Sequence, residues 1–260
     1  MNDGTAAVPT LIEQRDGTTI VLTLNNPQRR NALAMPLREG LIAAFERIEA
    51  DRTIRAVVLT GAGGTFCAGG DITAMNVKGL ADGLERFRIT HRLVRLMIRC
   101  GKPIVAAVEG YAVGAGLSLA LCCDTIVAAE DARFGAGFGR IGLIADLALN
   151  HTLPARIGTG RARQVLLYGE QMDAATGERF GLIDYVVPKG GALDLALRRA
   201  KTFADAAPLP VALTKGLLAD GLDLALERER ELQSMLFLTA DHAEGREAFL
   251  AKRRPVFKGA

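Results

Sequence analysis

The sequence predicts an α/β fold built around a mainly parallel sheet, and three observations predict it. Short β-branched or apolar runs recur: RAVVLT at 55–60, IVAAV at 104–108 and DTIVAA at 124–129. Helical patterns separate them, over 81–99 and over LSLALCC at 117–123. Two glycine-rich segments, GAGGTFCAGGDI (61–72) and GYAVGAGLS (110–118), each follow one of the strand-like runs. Strand, helix and strand in that order imply right-handed crossovers, which lay the strands parallel.

Taken in order, residues 10–24 alternate polar and apolar about Asp16-Gly17, the pattern of a β-hairpin that Asn25-Asn26-Pro27 ends. A helix is expected from about Pro36, because Leu37, Leu41, Ala44, Phe45 and Ile48 fall on one face and Pro36 suits a first turn. RAVVLT then enters the first glycine-rich loop. Residues 81–99 form a second amphipathic helix, broken at Lys102-Pro103. GYAVGAG opens the helix LSLALCC, which is apolar on every side and so must be central. From Asp146 onward the chain reads as helical, with one short strand in GLIDYVV (181–187). Residues 192–250 read as helices punctuated by Pro208, Pro210, Gly216 and Gly221. A soft division near 190 separates a core domain, 1–190, from a C-terminal helical region, 191–260.

A chain of 260 residues, 49% apolar and 23% charged, suits one large domain or one with a helical appendage. A net charge of +3 argues against a nucleic-acid partner and suits a small polyanionic ligand. Cys67, Cys100, Cys122 and Cys123 lack metal-ligand spacing and read as buried free thiols in a reducing compartment. The three histidines show no H-x-x-x-H spacing, so no metal is expected. MNDGTAAVPT lacks a leader's basic and apolar regions, and no apolar run approaches the ~20 residues of a membrane span. The expectation is a soluble cytoplasmic protein without a membrane partner.

The glycine-rich segments can carry chemistry. Backbone N–H groups exposed at a strand end can bind an anion or a developing oxyanion, and glycine permits the close approach this needs. Neither segment is a G-x-x-x-x-G-K-[ST] loop, nor a G-x-G-x-x-G in the right context. The plain alternative is two turns that need glycine for steric reasons.

NNPQRRNAL (25–33), TGAGGTFCAGGDI (60–72), KPIVAAVEGYAVGAGLSLALCCD (102–124), ARFGAGFGRIGLIAD (132–146), LPARIG (153–158) and GREAFLAKRRPVFKG (245–259) resemble, in order, the signatures of the enoyl-CoA hydratase/isomerase, or crotonase, superfamily. The resemblance runs from about residue 10 to 259. It implies a ClpP/crotonase-type spiral of ββα units with a C-terminal helical trimerisation region, assembled as a homotrimer or homohexamer. It implies an acyl-CoA thioester substrate, coenzyme A being part of that substrate and no separate cofactor. It implies an oxyanion hole from the N–H groups of Ala68 and Ala115, although the family usually has glycine at the second. Alanine keeps the N–H, so the change matters only if φ must be positive there.

For the coenzyme A arm the resemblance implies Arg29, Arg30 and Ala32 at the pantetheine and phosphate entry. It places Ala68, Gly69, Gly70, Asp71 and Ile72 at the adenine pocket, with Gly114 and Phe138 facing the substrate. Lys252, Phe257 and Lys258, with Phe249, Arg253 and Arg254, resemble the C-terminal segment that contacts the adenine and 3′-phosphate; a solvated basic tail is the alternative. Phe66, Met75, Phe87 and Phe138 suit an apolar acyl pocket or plain core.

The chain departs from the family's hydratases at both catalytic glutamates, where it has Ser118 and Phe138. Neither can hold water and shuttle its proton. One acid remains, Asp146, where some family isomerases carry a carboxylate. It reads as the base of a double-bond shift, with Ile141, Leu143, Ile144 and Leu147 raising its pKa by desolvation, or as a cap for the helix that follows. Ser118 reads as a hydroxyl bonded back to its own helix, or as a thioesterase-like nucleophile needing a base. His91 reads as part of a solvated arginine-rich face, His151 as core or helix surface that could approach Asp146, and His242 as a helix-start residue. The reading is therefore an enoyl-CoA double-bond isomerase first, an enoyl-CoA hydratase second, and a weakly active acyl-CoA-binding protein or thioesterase third.

Overall fold

The computed structural model describes residues 10–260; residues 1–9, read above as lacking a leader, lie outside the described residues. Strands β1 (Leu11–Asp16) and β2 (Thr19–Leu24) form the expected hairpin. After α1 (Met35–Ala50), β3 (Ala56–Gly61) and α2 (Leu80–Ile98) come β4 (Ile104–Val108), β5 (Tyr111–Val113), α3 (Ala115–Leu121), β6 (Thr125–Ala129) and β7 (Arg133–Gly135). The chain continues through α4 (Leu149–Ile157), α5 (Thr159–Tyr168), β8 (Gln171–Asp173), α6 (Ala174–Phe180) and β9 (Tyr185–Val187). It ends in α7 (Ala192–Ala204), α8 (Pro208–Leu218), α9 (Leu222–Leu236) and α10 (Ala240–Leu250).

Six strands form one sheet in the order β1-β2-β3-β4-β6-β9, parallel except for the hairpin. A second sheet, β5-β7-β8, stands beside it. The two faces of the large sheet follow the period-2 alternation of strand side chains. Leu22, Val57, Leu59, Ala106 and Ile126 point into the main core with α1, α2 and α3. Val21, Val58, Val105, Ala107 and Val127 point the other way, against Ala192, Ala196, Ala200 and Ala204 of α7. Alanines four apart keep that helix face smooth. The division expected near 190 thus falls just before a helix that packs directly on the sheet. Helix α3 is buried at all seven positions, as its almost wholly apolar sequence, interrupted only by Ser118, requires.

The short elements differ from expectation. Tyr111–Val113 is a strand, not the opening of α3, and pairs in parallel with β7. Gln171–Asp173 is a strand inside the stretch read as helical. Three residues are too few for a period to register. Pro210 and Gly216 lie within α8 rather than ending a helix. Pro208 and Pro210 occupy its first turn, where no intrahelical N–H bond is lost. Among the described residues no helix is long and apolar enough to cross a membrane.

Candidate active site

Backbone contact joins the two glycine-rich loops. Cys67 donates its N–H to the Tyr111 carbonyl at 2.8 Å, and Val113 donates to the Cys67 carbonyl at 3.1 Å. Gly114 donates in turn to the Gly135 carbonyl at 2.8 Å, tying in β7. Glycine is required where the loops meet: a Cβ on Gly116 would lie 2.1 Å from the Cys67 carbonyl oxygen. Gly69 and Gly114 face each other with φ of +113° and +54°. Ala115 is not among the residues with positive φ, so alanine fits where the family usually has glycine.

These loops wall a cavity of about 200 Å³. It brings together Ala68, Gly69, Gly70, Ile72, Gly114, Ala115, Phe138 and Asp146, eight of the positions picked from the sequence. Met75, Ile141, Leu143 and Phe249 supply apolar wall, and Arg140 and Gln171 stand among the remaining lining residues. The Ala115 N–H, on the first residue of α3, has no acceptor within its own helix. The Ala68 N–H is engaged, donating to the Arg30 carbonyl at 3.0 Å. The two expected oxyanion donors are therefore not equally free.

Asp146 is 7% exposed, and its Oδ1 has no hydrogen-bond partner. Burial pushes its pKa up to about 6; the guanidinium of Arg38 opposes the rise, Glu229 adds to it, and Arg86 and His91 oppose it. Arg38 is itself buried, donating to the Leu33 carbonyl at 3.2 Å and to the Thr90 hydroxyl. The side chain of Asp146 does not cap α4. That helix is preceded by Ala148 in a left-handed conformation, without a side-chain cap.

The remaining sequence-derived positions divide. The Ser118 hydroxyl donates to the Gly114 carbonyl of its own helix at 3.3 Å and is fully buried. His91, expected on a solvated face, is buried, and its Nε2 lies 2.8 Å from Glu229 Oε1. Phe87 four residues earlier and Val94 three later share its inward face, whereas Arg88, Arg92, Arg95 and Arg99 lie on the other. That 3.6-residue stripe was the available signal. His151 lines a different cavity, with Cys122 and Lys215. Arg29 pairs with Asp71 at 3.1 Å outside this cavity, and Arg30 sits over the Tyr111 ring at 5.9 Å. Ala32, with the Arg29 and Arg30 side chains, does not line the cavity that holds Asp146. Phe66 and Phe87 are fully buried core, so of the four apolar candidates only Met75 and Phe138 reach the cavity. A second cavity of about 420 Å³ shares Gly137, Arg140, Gly169 and Phe249 with the first and is lined further on by Arg253, Arg254 and Phe257. Lys252 and Lys258 do not line it. Glu229, Gln233, Arg38 and Arg86 were missed by sequence reasoning; each sits in a charged or mixed run that reads as surface. Among the described residues no group of His, Cys, Asp and Glu could hold a metal ion.

The family model for enoyl-CoA hydratase/isomerase matches residues 14–260. The chain belongs to this family, within the crotonase superfamily. It is 37% identical over 253 residues to 2,3-dehydroadipyl-CoA hydratase of Escherichia coli K12, covering 96% of this chain and 98% of that one. It is 36% identical over 248 residues to 1,2-epoxyphenylacetyl-CoA isomerase of the same organism, covering 92% and 95%. Among solved structures, an enoyl-CoA hydratase from Mycobacterium avium subsp. paratuberculosis K-10 superposes with a TM-score of 0.87 at 31% identity, covering 96% of this chain and 99% of that one. A carnitinyl-CoA dehydratase from Mycobacterium avium 104 gives 0.87 at 32% identity, covering 97% and 100%. This family member is thus an enoyl-CoA hydratase/isomerase-type enzyme of the crotonase fold, with relatives of both names at nearly equal identity.

Proposed function

We propose that the protein is a double-bond isomerase of unsaturated acyl-CoA thioesters, with Asp146 as its base. One observation carries the reading: among the described residues lining the acyl cavity, Asp146 is the sole carboxylate, and its Oδ1 is unpartnered. Hydration by the family's two-glutamate scheme has no counterpart, because Phe138 is a phenyl group in the cavity wall and Ser118 is tied into α3.

In the proposed reaction the Asp146 carboxylate takes a proton from C2 of a 3-enoyl thioester. The electron pair of that C–H bond becomes the C1=C2 bond of a dienolate that keeps C3=C4, and the carbonyl π pair moves to oxygen; on reprotonation at C4 the double bond settles at C2=C3. The negative charge goes to the thioester oxygen, held by the N–H groups of Ala115 and Ala68. Protonated Asp146 then returns the proton to C4, giving the 2-enoyl isomer with no net gain or loss of atoms. A base whose pKa lies near neutrality suits both halves of this cycle. The Arg30 carbonyl must yield or share the Ala68 N–H when the thioester oxygen arrives. The coenzyme A arm is assigned to the second cavity, where Arg254 offers charge to phosphate beside Arg253, itself held by Glu244 and Glu247. Self-association is assigned to α8, which exposes Leu209, Leu213, Leu217 and Leu218.

The test is to assay 3-enoyl to 2-enoyl isomerisation and 2-enoyl hydration side by side, on the wild type and on Asp146→Asn. Isomerisation that Asp146→Asn abolishes, with little hydration, supports the reading. Robust hydration, or full isomerase activity in Asp146→Asn, overturns it.

A further inference from the structure

The acid at 146 stands on a stretch that no regular element holds. Residues 144–148 lie between a single 3-10 turn (Phe138–Ile141) and α4. Within it Leu147 and Ala148 both take left-handed φ, 52° and 61°. Side chains other than glycine adopt that conformation at a cost of roughly 1 kcal/mol or more each, so the surrounding structure must enforce it.

Two side chains from one turn of α9 do so. Gln233 donates from Nε2 to the Ile144 carbonyl at 2.8 Å and accepts the Ile144 N–H on Oε1 at 3.1 Å. One helical turn earlier, Glu229 accepts the Ala148 N–H on Oε2 at 2.8 Å. Its other oxygen meets His91 Nε2 at 2.8 Å, so α2 braces the carboxylate from behind. Glu229, Gln233 and His91 are all buried, at 5%, 0% and 2% exposure. The clamps thus grip the backbone two residues before Asp146 and two residues after it.

We propose that Glu229 and Gln233 are positioning residues for Asp146: they hold residues 144–148 in the strained turn that presents the Asp146 carboxylate to the acyl cavity. Neither lines that cavity. They act on the placement of the base and not on thioester binding. The inference rests on the reading of Asp146 as that base.

The experiment measures kcat and KM separately for 3-enoyl to 2-enoyl isomerisation by the full-length protein, per mole of folded enzyme by circular dichroism. Glu229→Ala and Gln233→Met each remove a clamp, and a base displaced by an ångström loses rate on the order of 10- to 100-fold. The expected result is that loss in kcat with KM within about threefold of wild type, since uniform binding is untouched. Glu229→Gln keeps a carbonyl oxygen for the Ala148 N–H, and its amide can face the other tautomer of His91; it restores most of the loss seen in Glu229→Ala. In an Asp146→Asn background Glu229→Ala adds no further loss, because the two act as one unit. Gln233→Met has nearly the volume of the original and carries the test if Glu229→Ala does not fold. If Asp146→Asn is fully active, the base assignment falls. If Asp146→Asn is inactive while folded Glu229→Ala or Gln233→Met keeps wild-type kcat, or if the losses add across the double variant, the positioning role falls and the base assignment stands.

Discussion

Replacing Asp146 by asparagine separates what this residue costs the fold from what it contributes to the reaction. Burial lifts its pKa from 3.8 to about 6. Ionising it in the folded protein therefore costs about 3 kcal/mol more than in the unfolded chain. The sign follows from proton uptake. Between those two pKa values the native state binds the proton more tightly, so stability is fully present below about 4 and is lost as pH rises through about 6. Asparagine cannot ionise, but it brings an amide whose N–H groups need partners, which returns roughly 1–2 kcal/mol of the gain. The net expectation at pH 8 is a protein more stable by about 1–2 kcal/mol, or several degrees in Tm for a chain of this length. The advantage should vanish near pH 5 and turn into a deficit of about 1–2 kcal/mol below pH 4. Thermal unfolding of both proteins across this range reads the difference. The same substitution should lower isomerase kcat by about 10²- to 10⁴-fold, the usual worth of a positioned acid–base group. In the wild type, kcat/KM should climb with pH through about 6 and then level, because the base must be ionised to act. A variant no more stable than wild type at pH 8, or a wild-type rate flat from pH 5 to 7, would refute the reasoning.

Three further outcomes are expected. Ala115→Pro deletes one N–H at the first position of α3, where proline's φ suits a helix, and should cut kcat by about 10²- to 10³-fold in a folded protein; normal turnover would remove that N–H from the oxyanion site. Gly116→Ala puts a methyl 2.1 Å from the Cys67 carbonyl oxygen; it should destabilise by about 2 kcal/mol or more in chemical denaturation and depress activity by separating the loops. Leu213→Glu with Leu217→Glu charges the exposed face of α8; light scattering should show smaller particles than for the wild type, and an unchanged mass would take α8 out of the assembly interface.

The layout of the large sheet was legible because its strands and helices are long enough to show a period. Leu37, Leu41, Ala44, Phe45 and Ile48 all proved to be buried along one side of α1. The three-residue strands of the second sheet were not, since pairing and not pattern defines them. The loops, Phe138 and Asp146 were legible as ordered motifs and meet at one cavity. The support behind Asp146 was hidden for a different reason. Glu229 and Gln233 sit in LERERELQ, which reads as a solvated helix until α9 is laid against α2 and its buried side becomes visible. His91 was misjudged through its arginine neighbours, which occupy the opposite face of the same helix.

Under the proposed isomerisation, the seclusion of Asp146 bears on the fate of the migrating hydrogen itself. A carboxylic acid almost sealed from bulk water, with apolar wall formed by Ile141 and Leu143, exchanges its hydrogen slowly once substrate fills the space in front of it. A deuterium placed at C2 should then reappear at C4 of the same product molecule instead of being diluted into the medium. The burial that makes the acid costly to the fold also makes the enzyme conservative with its isotope.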